Sequence, residues 1–315
     1  VFAAVPALLL MSDAYFKARA TFIDPVAGSR TPQESWDWAT QWSWPPSETV
    51  DFIAPGYYGL RSGEPSGEYW GEMGRSPEWT KTRQGFRNFK LESQYLGMIP
   101  VGLALLAMVL AFAPFARGAE RRGDLRFWAV ATLLLFVLSC GKYLPLYRLF
   151  YELPLMASIR NPNKFLQVFQ LALGVLAAFG ADALLWAARA RLDDAFRRRA
   201  RWIVGAVGGV TVVLLLAWLV RTSSSGELAL KIGAEGYANA PKLAERAASA
   251  LGHATAMGVV LAGALWLALM SPWSAVARFR MWVARGLVAV VMIDVVLLSG
   301  DYLVAQDLRV VRNNP

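Results

Sequence analysis

The sequence predicts an all-α polytopic membrane protein: about seven transmembrane helices, the first of them partial, with a tryptophan-rich extracytoplasmic loop region. Three observations carry this fold class. The 315 residues are 56% hydrophobic and only 17% charged, against about a quarter charged in an ordinary soluble domain. The apolar residues fall in several runs that approach the roughly 20 residues needed to cross a bilayer. The arginines collect in three short connections between those runs, which is the bias that orients helical membrane proteins.

Taken in order, residues 1–11 read as the last part of a membrane helix. The chain opens at Val1 inside an apolar run without a basic stretch before it, so no signal peptide is read there and a longer parent protein is expected. Residues 12–94 are polar and rich in Gly, Pro and Trp. Spans are expected at 95–115, 127–143, 165–187, 202–220, 254–270 and 281–299, giving a six-helix membrane domain over 95–299 with a re-entrant or interfacial segment at 144–163. Residues 221–253 form a polar excursion with a short helix expected at 241–251, and 300–315 form a polar tail.

The orientation follows from the basic residues. Arg117, Arg121, Arg122 and Arg126 share one connection; Arg189, Arg191, Arg197, Arg198, Arg199 and Arg201 the next; Arg278 and Arg280 the third. These connections alternate with the others, so one orientation places all of them in the cytoplasm. The tryptophan-rich segment, residues 144–163, the polar excursion and the tail then lie outside. Topology accounts for the net charge of +9, and no nucleic-acid partner is expected. A single cysteine, Cys140, excludes an internal disulfide, and a single histidine, His253, argues against a histidine-based metal site.

The stretch from Ser139 to Phe165 organises the rest. Pro145, Pro154 and Pro162 break it into short pieces, since proline stops a helix and extends the residue before it. Leu146, Leu149, Phe150, Leu153 and Leu155 are spaced for a short helix lying at a membrane surface. Lys142, Arg160 and Lys164 are candidates for holding a lipid phosphate, Arg as a planar fork and Lys as a point charge; the plainer alternative is snorkelling to headgroups. In the tryptophan-rich segment, Trp36, Trp38, Trp42, Trp44 and Trp70, together with Asp51, are candidates for a sugar-binding or docking surface. Trp faces stack on sugar rings and carboxylates accept hydroxyl hydrogen bonds, whereas tryptophan also settles at membrane interfaces for its own reasons. Asp182 and Asp294 lie within apolar runs, where an acid is costly and a functional candidate. Asp182 is close to the arginine-rich end and is expected to pair there. His253, read at a helix start, is expected to be interfacial.

The order of these motifs resembles the YfhO-type bacterial membrane proteins of the glycosyltransferase C superfamily. The motifs are Asp51-Phe52-Ile53-Ala54-Pro55-Gly56-Tyr57-Tyr58-Gly59, Tyr69-Trp70-Gly71, Tyr95-Leu96-Gly97, Ser139-Cys140-Gly141-Lys142 and Arg160-Asn161-Pro162-Asn163-Lys164-Phe165. The likeness spans roughly residues 35–182. It implies a bacterial inner-membrane enzyme that transfers a sugar from a polyprenyl-phosphate carrier to an extracytoplasmic acceptor, with or without a divalent metal. Lys142, Arg160 and Lys164 would hold the carrier phosphate, and the catalytic carboxylate would lie N-terminal to this chain. The other reading is a non-catalytic accessory subunit that keeps the fold and docks other membrane subunits.

Overall fold

The computed structural model describes residues 30–64, 67–112, 122–153, 156–189 and 194–300. The partial span at 1–11, the tail beyond Gly300 and much of the first two arginine-rich connections lie outside the described residues. Regular structure is helical throughout the described residues.

Residues 30–97 form a cap. Its first helix, α1 (Pro32–Thr40), starts on a reciprocal capping box: the Glu34 backbone N–H donates to the Thr31 side chain, while the Glu34 carboxylate accepts from the Thr31 backbone. These bonds satisfy donors that a helix start otherwise leaves unpaired, and Pro32 occupies the first turn, where its missing N–H costs nothing. A 3-10 helix (Pro46–Phe52), a run of turns and the single-turn helix α2 (Trp79–Thr82) complete the cap.

Six longer helices make the bundle: α3 (Met98–Phe112), α4 (Arg122–Ser139), α6 (Phe165–Arg189), α7 (Asp194–Ser223), α9 (Ala240–Leu269) and α10 (Ala277–Ser299). Two shorter helices, α5 (Leu146–Glu152) and α8 (Ser225–Ala234), lie on the cap side. Four stretches are long and apolar enough to cross a membrane: Pro162–Leu185, Ala200–Ser223, Ala240–Leu269 and Ala277–Ser299. Helix α3 is apolar but has 15 residues, and α4 carries Arg122, Asp124 and Arg126 in its first two turns. The chain is a multi-pass membrane protein.

Small residues allow the helices to approach one another. A side chain at Gly180 of α6 would collide with the backbone of Leu103 in α3, and one at Gly258 of α9 would meet Thr211 of α7. On the outer faces, Val213, Leu216 and Val220 of α7 and Val296 and Leu297 of α10 remain exposed. Apolar surface on this scale belongs against lipid.

One expectation is corrected. The short helix at 241–251 and the span at 254–270 are a single 30-residue helix, α9. No proline falls between Pro241 and Leu269, and alanine with Lys242, Glu245 and Arg246 favours continuation. The cap-side half of α9 buries Leu243, Ala244, Ala247 and Ala250 in a cluster with Ala54 and Tyr57 of the cap. His253 is therefore internal to a helix.

Candidate functional site

The cap and the central stretch are joined by main-chain hydrogen bonds. Trp44 N donates to Ser139 O at 2.8 Å, Asn161 N to Ala39 O at 3.0 Å, and Asn163 N to Trp42 O at 3.0 Å. Lys142 N donates to Ser43 Oγ at 3.0 Å. Two unusual backbone positions allow this fit. Gly141 has φ of +48°, and any side chain there would collide with Ser43 and Pro162. Asn161 also lies in the left-handed region, at φ 67°, which asparagine tolerates better than most residues.

This stitching packs Gly141, the residue before Lys142, against Pro162 of the turn Pro162–Lys164, so the backbones of two parts of the expected phosphate site share one ledge. Burial lowers the Lys142 ammonium below the ordinary lysine range, and the carboxylates of Asp37 and Glu72 partly offset that effect. The Arg160 guanidinium stacks over Trp38 at 4.2 Å, and Arg30 lies over the same ring system at 4.5 Å. Arg148 of α5 stacks over Trp36 at 4.7 Å, and Trp36 meets Tyr151 edge to face. Lys164 is exposed. The side-chain oxygens of Asn161 and Asn163 are buried and accept no hydrogen bond in the structure. The ledge thus combines cations stacked on indole rings with buried amide acceptors that lack a donor.

The remaining candidates separate by burial. Trp42 packs on Phe86 and Phe89. Trp70 packs on Tyr57 and Tyr58, and its Nε1 is buried without an acceptor. Trp44 is 0% exposed and stacked on Phe52 at 5.4 Å, so it cannot present a ring to a sugar or a partner. Asp51 is withdrawn in the same way. It is 1% exposed, ion-paired with Lys90 Nζ at 2.5 Å, and accepts from Tyr58 N. Both belong to the core because the apolar runs beside them need a floor, which composition alone does not reveal.

The sequence reading missed Lys90, Glu48 and Tyr69. The single Tyr69 hydroxyl proton is shared with the two Glu48 oxygens, 2.6 and 2.8 Å from the phenol oxygen, and Glu48 also accepts from Glu72 N at 2.6 Å. Burial pushes the Glu48 carboxyl up to about 7, against the pull of Lys90 and its hydrogen bonds. Lys90 sits in a polar, irregular stretch, and its distance in sequence from Asp51 offers no local signal. Asp294, in contrast, was visible as an acid in an apolar helix, and it pairs with His253 and Tyr95. Asp182 lies on an exposed side of α6.

No family model, no curated protein and no solved structure matches this chain. Among the described residues, no three His, Cys, Asp or Glu side chains come together where a metal ion would be held.

Proposed function

We propose that this chain is the membrane part of a glycosyltransferase-like protein that takes a sugar from a polyprenyl-phosphate carrier and passes it to an extracytoplasmic acceptor. The observation that carries the reading is the ledge itself. Lys142 and the Arg160–Lys164 turn lie together where a cap meets helices with lipid-facing apolar surfaces. Cations carried on that ledge suit a phosphate whose tail stays in the bilayer, with the guanidinium as a planar partner for its oxygens. Trp36 and Trp38, half-buried beside these cations, offer indole surface at the height of a headgroup sugar.

Binding of polyprenyl phosphate to the full chain in lipid nanodiscs tests the reading. The Arg160→Ala/Lys164→Ala double variant is expected to lose carrier binding and keep its thermal unfolding profile. Unchanged binding in that variant rejects the site.

One observation favours a second reading, the accessory subunit. The buried acids of the cap, Glu48 and Asp51, are engaged by Tyr69 and Lys90, so they act as structural groups. Stable co-purification with another membrane protein, without sugar transfer by the resulting complex, would support that reading over the enzyme.

A further inference from the structure

Away from the ledge, three side chains from separate segments meet at the cap-side end of the bundle. Tyr95 precedes α3, His253 belongs to α9, and Asp294 belongs to α10. The Tyr95 hydroxyl donates to Asp294 Oδ2 at 2.6 Å. His253 Nε2 lies 2.8 Å from Asp294 Oδ1 and 3.2 Å from the Tyr95 oxygen. The Asp294 side chain is 8% exposed and that of His253 28%, so the imidazole has an accessible edge while the carboxylate is enclosed. An acid in an apolar helix is expensive unless donors surround it, and here both donors come from other segments.

The same segment reaches the cap. Leu96 N and Gly97 N both donate to Phe52 O, at 2.9 and 3.0 Å. Gly97 takes φ of +93° to make that approach. Gln94 accepts from Gln170 of α6 at 2.6 Å. Residues 94–97 therefore connect the end of α10 to the residue next to the buried Asp51–Lys90 pair.

We propose that Tyr95, His253 and Asp294 form a proton-operated clamp that couples the cap-side end of α10 to the base of the cap. With His253 neutral, its Nε2–H donates to the Asp294 carboxylate, a hydrogen bond already assisted by the acceptor's charge. Uptake of one proton from water at Nδ1 converts that contact into an ion pair, with no other bond made or broken. The imidazolium adds a Coulomb attraction to the carboxylate 2.8 Å away, stronger in a low-dielectric setting than in water, and histidine is the side chain suited to such a change near neutral pH. Burial and the Asp294 charge raise the Tyr95 hydroxyl well above its ordinary range, so it remains a donor throughout. The polar groups at the clamp are Asp294 from α10 and Tyr95 from the segment before α3, with the neutral amides Gln94 and Gln170 beside them. On α9 itself, Glu245 and Arg246 lie about two turns toward the cap. Arg221, at the end of α7, is directed to the Tyr57 ring at 5.8 Å.

Hydrogen exchange of the full chain in nanodiscs, corrected for intrinsic rates, tests the clamp. It is read between pH 5 and 8 in a Glu48→Gln background, which removes the cap's own titrating acid. Protection of residues 94–97 and of the last two turns of α10 is expected to fall roughly two- to fivefold as pH rises, the ratio set by loss of an ion pair at a partly exposed site. His253→Gln and Asp294→Asn should each abolish that pH dependence. Tyr95→Phe should lower protection but keep the dependence. A flat pH profile before these substitutions overturns the clamp. So does a dependence that persists in His253→Gln, or one spread evenly over the whole chain. If His253→Gln fails to fold, Asp294→Asn alone decides by the same criterion.

Discussion

Two clusters of charge on the cap side of this protein are built from the same residue types and differ in how they are satisfied. Beneath the cap, Lys90 and Asp51 are each 2% exposed and paired with one another, while Glu48 is enclosed by Tyr69 and the Glu72 backbone. At the ledge, Lys142 is half-buried, Arg160 is stacked on Trp38, and two asparagine oxygens have no donor. The first cluster is closed on itself and holds the cap's irregular turns in place. The second leaves the Asn161 and Asn163 side-chain oxygens without a donor. Charge near a membrane surface is thus no guide to function until its partners are known. A buried ion pair whose hydrogen bonds are complete is an architectural element, and incomplete groups around a cation are what a ligand would complete.

Removing one partner of the closed cluster should be the sharpest way to test that contrast. Lys90→Ala leaves Asp51 buried without its counter-charge, which costs about 3–5 kcal/mol. Limited proteolysis should then cut within residues 46–97, whereas Lys164→Ala at the exposed edge of the ledge should leave the digestion pattern unchanged. Gly141→Ala comes next. Its side chain would collide with Ser43 and Pro162 at a left-handed backbone position, and a cost of roughly 1–3 kcal/mol is expected. Thermal unfolding should report that loss, and carrier binding should fall with it because Lys142 is the next residue.

The third test is a slope with pH. The Glu48 carboxyl is raised from 4.5 to about 7 by burial, so the folded cap holds a proton that the unfolded chain releases. Stability is then full at low pH and declines as pH rises from about 4.5 to about 7, because the unfolded state binds fewer protons across that window. Chemical denaturation across this range should show the decline, and Glu48→Gln should flatten it. The smallest effect belongs to Trp38→Leu. It removes the ring between Arg30 and Arg160, and an exposed cation–π contact contributes about 0.5–1 kcal/mol. Fold stability should barely change, while affinity for polyprenyl phosphate drops severalfold because Arg160 loses its positioning surface. Affinity that does not change would place Arg160 outside the site.

Parts of this picture were legible in the residues alone. Four of the expected spans, the short helix between Pro145 and Pro154 and the turn at Pro162 follow from local rules: hydropathy over a window, leucines at helical spacing, and the geometry that proline imposes. Asp294 was conspicuous for the same reason, as an acid among aliphatic neighbours. The polar half of α9 was expected as a separate short helix because a hydropathy window marks where lipid could begin, whereas alanine-rich helix continues wherever the cap offers it something to pack on.

What the sequence by itself determined is the helical membrane scaffold, because burial in lipid is imposed residue by residue along the chain. Only the tertiary structure decided which charges are spent on the fold and which remain at the ledge. Asp51 meets Lys90, and Tyr95 and His253 meet Asp294, across separations that no local pattern encodes. Trp44 sinks into the core while Trp38 lies under Arg160, although the two rings are six positions apart in one polar segment. The physical reason is that a partner is supplied by another part of the chain, and its identity exists only once the helices have packed.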